Sequence, residues 1–256
     1  MAAESGSSRR WIRRHQAHPG APRLVCFPHA GGGASTYRNW AMRLSPSVEV
    51  LAVQYPGRED RYEEPPAEDM QSLADEIFAA LPVAADRPLT LFGHSMGSAV
   101  AFEVALRIER MCPGGLARLC VSGRPAPHAA RPSGLHLLPD AALLEDLRSL
   151  AGTSDTILDS RDFQALFLPA IRSDYRLIET HRPGPGARIT APVSAFCGTD
   201  DPHVRPEEVL SWRDVTTGGF ETRVFTGGHF YLHDHLPELV AEVARHLRPK
   251  EAPASG

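Results

Sequence analysis

The chain has 256 residues, of which 42% are hydrophobic and 23% are charged, and its formal net charge is −4. This balance is ordinary for a globular protein and gives no general attraction to nucleic acid, so we expect no nucleic-acid partner. No stretch approaches the roughly 18 apolar residues of a membrane-spanning helix, and the polar sequence after Arg14 does not match an export signal. We therefore expect a cytoplasmic protein that does not attach to a membrane.

The four cysteines contain no CxxC pair, and three of them lie in apolar runs that are typical of buried strands. They are Cys26, Cys112, Cys120 and Cys197. Reduced thiols in a cytoplasmic protein account best for this pattern.

Short apolar runs typical of β-strands recur along the chain. The predicted strands span 23–27, 48–55, 89–93, 116–123, 191–198 and 221–225. Most of the stretches between them have apolar residues at helical spacing. Strands that alternate with helices predict an α/β fold, in which helices cover both faces of a mostly parallel sheet.

The segment 131–185 interrupts this alternation, because it has two helical patterns and no strand pattern. The first begins near Asp140, expected as its N-cap, and the second covers 161–180 with Ser160 as its N-cap. We expect this lid segment to lie over the strand ends, the alternative being a purely structural subdomain. The resulting prediction is one domain over 1–256, with a core of about 9–130 and 186–248, a lid of about 131–185 and a disordered tail of about 249–256.

The sequence Gly-His-Ser-Met-Gly places Ser95 between two glycines, Gly93 and Gly97. The pattern alone is weak, but here an apolar strand precedes it and an amphipathic helix follows it. That context predicts a nucleophile elbow, a sharp turn that raises the serine hydroxyl above the sheet. Both glycines are needed because a Cβ would crowd the neighbouring strand or helix.

A serine nucleophile needs a histidine base and an acid that orients the base. His229 follows the last predicted strand, and the adjacent Asp200 and Asp201 follow the strand before it. The carboxyl ends of parallel strands gather at one edge of the sheet, where sites of this fold class form. We expect Asp201 to be the acid and Asp200 to stabilise the turn, with the reverse assignment as the alternative.

Backbone N–H groups of Ala30 and Met96 are the candidate oxyanion donors. Ala30 lies in a glycine-rich loop after the first predicted strand, and Met96 directly follows the candidate nucleophile. The glycine-rich loop lacks the lysine of a nucleotide-binding P-loop. The histidines around His229 do not form a known zinc pattern. We therefore expect no metal and no cofactor.

Seven segments together resemble the type II thioesterases of polyketide and nonribosomal peptide assembly lines, which are α/β-hydrolases. They are "FPHAGG" (27–32), "VQYPGREDR" (53–61), "FGHSMG" (92–97), "VSGRPAP" (121–127), "LPAIRSDY" (168–175), "DDP" (200–202) and "GGHFYL" (227–232). The resemblance implies an α/β-hydrolase fold, with Ser95 as nucleophile, Asp201 as acid and His229 as base.

It also implies hydrolysis of stalled or misprimed acyl thioesters on the phosphopantetheine arms of carrier proteins, by a free-standing enzyme. We expect this enzyme to be a monomer. Two alternatives stay open: a carboxylesterase or lipase that acts on free esters, and a noncatalytic α/β-hydrolase scaffold. The arginines near the start of the chain could meet an acidic carrier protein or form a solvated face; they are Arg9, Arg10, Arg13 and Arg14.

Overall fold

A seven-stranded sheet forms the centre of the computed structural model, which describes residues 6–15, 19–131 and 133–247. Across the sheet lie β1 (Ile12–His15), β3 (Glu49–Val53), β2 (Arg23–Phe27), β4 (Leu89–His94), β5 (Leu116–Ser122), β6 (Val193–Gly198) and β7 (Phe220–Phe225). β1 is antiparallel to β3, and the other neighbouring strands are parallel. The predicted α/β class with a mostly parallel sheet is therefore confirmed.

Helices cover both faces of this sheet. They are α1 (Gly6–Trp11), α2 (Arg38–Leu44), α3 (Met70–Ala80), α4 (Met96–Met111), α5 (Asp140–Ser149), α6 (Asp155–Leu158), α7 (Arg161–Thr180), α8 (Pro206–Val209), α9 (Tyr231–Asp234) and α10 (Leu236–Ala244). Val25 and Phe27 of β2 pack with α3 and α4, whereas Leu24 and Cys26 pack with α2 and α10. The alternation follows from the two-residue period of a strand.

Helices α5, α6 and α7 lie between β5 and β6, within the predicted lid segment. They share a small apolar cluster that includes Leu143, Leu158 and Ile171. The predicted cap of α7 is confirmed, because Ser160 Oγ accepts the N–H of Phe163 across 3.4 Å. The expected cap of α5 was wrong by one residue: Pro139 caps the helix, and Asp140 is its first residue.

The sequence patterns found six strands and missed β1, whose Arg-rich sequence lacks an apolar run. Its two arginines and Arg10 of α1 pair with acidic residues of this same chain. The pairs are Arg10 with Glu64 at 2.6 Å, Arg13 with Asp60 at 2.6 Å and Arg14 with Glu49 at 3.1 Å. The positive charges on this surface are thus partly neutralised by ion pairs within the chain.

The predicted disordered tail, about 249–256, lies outside the described residues. Within the part of the chain that the structure describes, no helix is both long and apolar enough to cross a membrane.

Candidate active site

Ser95 occupies a strained turn between β4 and α4. Its φ of 53° and ψ of −117° are unusual for a residue with a side chain, and such strain is typical of functional turns. A Cβ at Gly97 would lie 2.0 Å from the carbonyl oxygen of Phe27, and one at Gly93 would lie 2.1 Å from that of Gly97. The strand, turn and helix predicted around Ser95 are all present, and both glycines are sterically required.

Hydrogen bonds to β5 hold this turn in place. The N–H of Ser95 donates to the carbonyl oxygen of Ser122 across 2.8 Å. The Ser98 hydroxyl accepts the N–H of Ser122 at 3.0 Å and lies 2.9 Å from the carbonyl oxygen of Gly93. The position of Ser95 is therefore fixed relative to the neighbouring strand.

Asp201 and His229 form a buried pair on the loops after β6 and β7. Oδ2 of Asp201 lies 2.7 Å from Nδ1 of His229, and its Oδ1 accepts the N–H of His203 across 2.9 Å. The side chains of His229 and Asp201 are 2% and 0% exposed. Asp200 is exposed instead and accepts a hydrogen bond from the Thr199 hydroxyl across 2.7 Å. Of these two aspartates, Asp201 is therefore the one whose carboxylate contacts this imidazole.

Ser95 and His229 line one cavity of about 520 Å³. The loop after β2 contributes His29, Ala30 and Gly31, and the lid segment contributes apolar side chains such as Leu147, Leu150, Phe163, Phe167 and Ile171. A cavity that combines a few polar groups with an apolar wall is typical of a site for an amphipathic small molecule or chain.

The two candidate oxyanion donors belong to different segments, Ala30 to the loop after β2 and Met96 to the start of α4. Met96 is buried and is the first residue of α4, where a backbone N–H has no partner within its helix. Ala30 lines the cavity, and the next residue, Gly31, donates its N–H to Oδ2 of Asp174 across 2.8 Å. The donor roles of Ala30 and Met96 remain predictions.

Two further histidines, His29 and His94, lie beside His229. The rings of His94 and His229 are 4.9 Å apart between centroids, and His29 packs edge-on against Phe230 at 4.9 Å. Burial lowers the pKa of His29 to about 3 and the pKa of His94 well below its ordinary value, with a smaller effect from His229. Both rings are therefore neutral near pH 7 and place no extra positive charge next to His229.

A polar contact joins the lid segment to the loop that carries Asp201. Nε2 of His203 lies 2.8 Å from Oδ1 of Asp146 on α5, and the Tyr175 hydroxyl donates to Oδ2 across 2.6 Å. The hydrogen bond to Asp146 raises the pKa of His203 despite partial burial. Burial alone would raise the pKa of Asp146, but the hydrogen bonds from His203 and Tyr175 lower it overall.

These residues were not predicted from the sequence, and neither was the buried ion pair between Arg58 and Asp174. Arg58 and Asp174 do lie in two of the segments that carry the family resemblance, which was the available signal. The sequence could not show that they pair with each other, because the two residues are 116 positions apart.

The other histidines near His229 have separate contacts. His233 stacks on Phe230 with 5.4 Å between ring centroids, and His235 Nε2 lies 3.0 Å from the Thr226 hydroxyl. Among the described residues, no group of three or more His, Cys, Asp or Glu side chains is arranged to hold a metal ion.

Comparison with known proteins gives matches over nearly the whole chain. A family model described as "Thioesterase domain" matches residues 22–250. The "Probable cadicidin biosynthesis thioesterase" of Streptomyces griseus is 44% identical over 96% of this chain and 68% of its own length. Thioesterase PikA5 of Streptomyces venezuelae is 45% identical, over 93% of this chain and 85% of its own.

Among solved structures, one described as the type II thioesterase BorB from the borrelidin biosynthetic cluster superimposes with a TM-score of 0.84. It is 45% identical, and the match covers 93% of this chain and 98% of that one. The predicted α/β-hydrolase fold is thereby confirmed.

Proposed function

This chain belongs to the thioesterase family, and on that premise we propose that it is a type II thioesterase that hydrolyses acyl groups from the phosphopantetheine arms of carrier proteins. Its role would be to clear stalled or misprimed units from a polyketide or nonribosomal peptide synthase. The observation that carries the proposal is the buried pair of Asp201 and His229, because His229 lines the same cavity as the strained Ser95.

The first half of the reaction acylates Ser95. His229 removes the hydroxyl proton as Oγ attacks the thioester carbonyl carbon, and a tetrahedral intermediate forms. When this intermediate collapses, the carbon–sulfur bond breaks and the imidazolium of His229 gives its proton to the departing pantetheine thiol. The products of this half are an acyl-serine ester and the free carrier thiol.

The second half releases the acid. A water molecule gives a proton to His229 as its oxygen attacks the acyl-serine carbonyl. Collapse of the second tetrahedral intermediate breaks the bond to Oγ, and the proton returns to Ser95. The enzyme is thereby restored, and a carboxylic acid leaves the cavity.

Asp201 supports this chemistry by holding the Nδ1 side of the imidazole. Its hydrogen bond fixes the tautomer in which Nε2 can accept a proton, and its charge stabilises the imidazolium that forms. The N–H groups of Ala30 and Met96 are proposed to bind the oxyanion of both intermediates. A single donor of this kind contributes about 3 to 4 kcal/mol in comparable enzymes.

The lid segment is proposed to guide the acyl chain. Its α5 and α7 helices supply the apolar wall of the cavity, so an acyl chain would replace water along that wall. A thiolate leaves more readily than an amine, and entry of the acyl arm past the lid could therefore limit the rate. Hydrogen exchange that shows α5–α7 to be as protected as the central sheet would contradict this gating role.

The test compares the unaltered protein with Ser95→Ala on acetyl, propionyl and hexanoyl groups loaded on a carrier protein, on coenzyme A and on simple alcohols. We expect carrier-bound thioesters to give the highest kcat/KM, and Ser95→Ala to lower kcat by about 10⁶-fold without loss of fold. Faster turnover of simple esters would favour a carboxylesterase. No labelling by a serine-directed phosphonate would favour a noncatalytic scaffold.

A further inference from the structure

Three distant segments of the chain meet at one buried carboxylate, that of Asp174 on α7. Arg58 donates from Nη1 to Oδ2 across 2.7 Å and from Nη2 to Oδ1 across 2.8 Å. Oδ2 also accepts the N–H of Gly31 across 2.8 Å. The side chains of Arg58 and Asp174 are only 3% and 2% exposed. A forked, water-excluded pair of this kind is strongly directional.

Gly31 directly follows Ala30, the candidate oxyanion donor. Its φ of +76° is a conformation that favours glycine, and a Cβ there would lie 2.8 Å from Cγ1 of Ile171. Ile171 precedes Asp174 by three residues, so both belong to the same face of α7. The N–H of Gly32 donates to the carbonyl oxygen of His29 across 3.0 Å and closes the turn. The loop is therefore held from within and by α7.

We propose that Asp174 and Arg58 are positioning residues that aim the N–H of Ala30 at the oxyanion. Asp174 fixes the peptide between Ala30 and Gly31, and Arg58 fixes the carboxylate of Asp174. The inference rests on the proposed function, since it assigns a role within that site. Neither Asp174 nor Arg58 is among the described residues that line the cavity, so they act through the loop rather than on the substrate.

The energetics of a buried ion pair support a positioning role. Removing two charges from water costs about as much as their attraction returns, so such pairs add little net stability compared with apolar residues. Their advantage is a fixed geometry. Here that geometry is imposed on a loop where a displacement of about 1 Å can cost roughly 100-fold in rate.

A displaced oxyanion donor has a distinctive kinetic effect. The donor binds the oxyanion of the transition state more strongly than the ground-state carbonyl, so its loss lowers kcat and leaves KM nearly unchanged. Damage that only loosens the cavity or the fold would raise KM or lower the melting temperature. The two effects can therefore be separated.

The experiment compares Asp174→Asn and Arg58→Lys with a matched control, Glu49→Gln. Glu49 is also a buried carboxylate, 2% exposed, with arginine partners that include Arg23 and Arg87. It is the first residue of β3 and therefore lies at the amino ends of the parallel strands, whereas the site lies at their carboxyl ends. Each variant is measured for kcat and KM on an acyl carrier protein, for melting temperature, and for binding of a trifluoromethyl ketone analogue that forms a tetrahedral adduct.

We expect Asp174→Asn to lower kcat by about 10- to 100-fold, with KM within about threefold of the unaltered protein. Its affinity for the trifluoromethyl ketone should fall by a similar factor. Glu49→Gln should leave both kcat and this affinity unchanged in the fraction of the protein that is folded. If Asp174→Asn does not fold, Arg58→Lys decides, since it retains the positive charge and loses only the fork.

The positioning role would be overturned if every variant of Asp174→Asn and Arg58→Lys that folds has the same kcat as Glu49→Gln. A rise in KM with unchanged kcat would also overturn it. Neither result bears on Ser95 or on the substrate. Inactivity of the unaltered protein toward every carrier-bound thioester would instead overturn the proposed function.

Discussion

Oδ2 of Asp201 lies 2.7 Å from Nδ1 of His229, and both side chains are buried. The adjacent Asp200 is exposed and contacts the Thr199 hydroxyl instead. Of these two adjacent aspartates, one contacts the imidazole of His229 and the other contacts its neighbour in the turn.

Asp201→Asn is expected to lower kcat by about 10⁴-fold, because an amide favours the wrong tautomer of His229. Asp200→Asn serves as the matched control and should change kcat by less than about tenfold, since its side chain is exposed. Steady-state hydrolysis of an acyl carrier protein measures both. The reverse order of the two effects would assign the acid to Asp200.

The elbow glycines give a prediction on stability. Gly97→Ala is expected to lower the free energy of unfolding by more than about 3 kcal/mol, because its Cβ would lie 2.0 Å from the carbonyl oxygen of Phe27. Gly184→Ala is the control, since a Cβ there would meet nothing within 4 Å. Urea unfolding measures both variants. Equal stability of the two would mean that the turn at Ser95 can relax.

The sequence was sufficient to predict those parts of the fold that depend on local patterns. Six strands have apolar runs, and the loop order that brings Ser95, Asp201 and His229 to one edge follows from a parallel sheet. Strand β1 was missed because its polar, Arg-rich sequence becomes a strand through pairing with β3 and through distant ion pairs such as Arg13 with Asp60.

The supporting contacts of the site could not be predicted for the same reason. Arg58 and Asp174 are 116 positions apart, and Asp146 and His203 are 57 apart. Each pair depends on where α5 and α7 pack over the sheet, which no local periodicity specifies. The candidate catalytic residues follow from motifs, whereas the residues that contact them and their loops follow from tertiary packing.

The apolar wall of the cavity gives a prediction on acyl-chain preference. Phe163 stacks on Phe167 with 5.0 Å between ring centroids, and both line the cavity. Phe163→Ala removes apolar surface from the cavity wall, and a chain of several carbons has more apolar surface to bury against that wall than an acetyl group has. The ratio of kcat/KM for hexanoyl over acetyl carrier protein should therefore fall by about tenfold.

Leu166→Ala is the matched control for this prediction. Leu166 belongs to the same helix, but it is 64% exposed and is not among the described residues that line the cavity. The ratio should stay within about twofold of the unaltered protein. An equal change in both variants would mean that α7 acts through its general stability rather than as the wall that contacts the acyl chain.

The contact between His203 and Asp146 predicts a dependence of stability on pH. The pKa of His203 is raised by its hydrogen bond to Asp146, so the folded state binds the proton more tightly than the unfolded state. This contribution is fully present below the unfolded value of about 6.5 and is lost as the pH rises through the higher folded value. The pKa of Asp146 is lowered overall, because the hydrogen bonds from His203 and Tyr175 outweigh the effect of burial. Its contribution is therefore lost only in acid.

His203→Gln should therefore reduce the free energy of unfolding more at about pH 5.5 than at about pH 8.5, since this contribution is fully present at the lower pH and declines as the pH rises above the unfolded value. Urea unfolding at both pH values measures the difference. His128→Gln is the control: His128 is exposed and lies 3.5 Å from Asp214, and exposed pairs contribute little. The contradicting result is that His203→Gln lowers the free energy of unfolding equally at both pH values, or more at the higher one. That result would show that the imidazole is neutral in the folded protein and that its charge does not stabilise the contact with the lid segment.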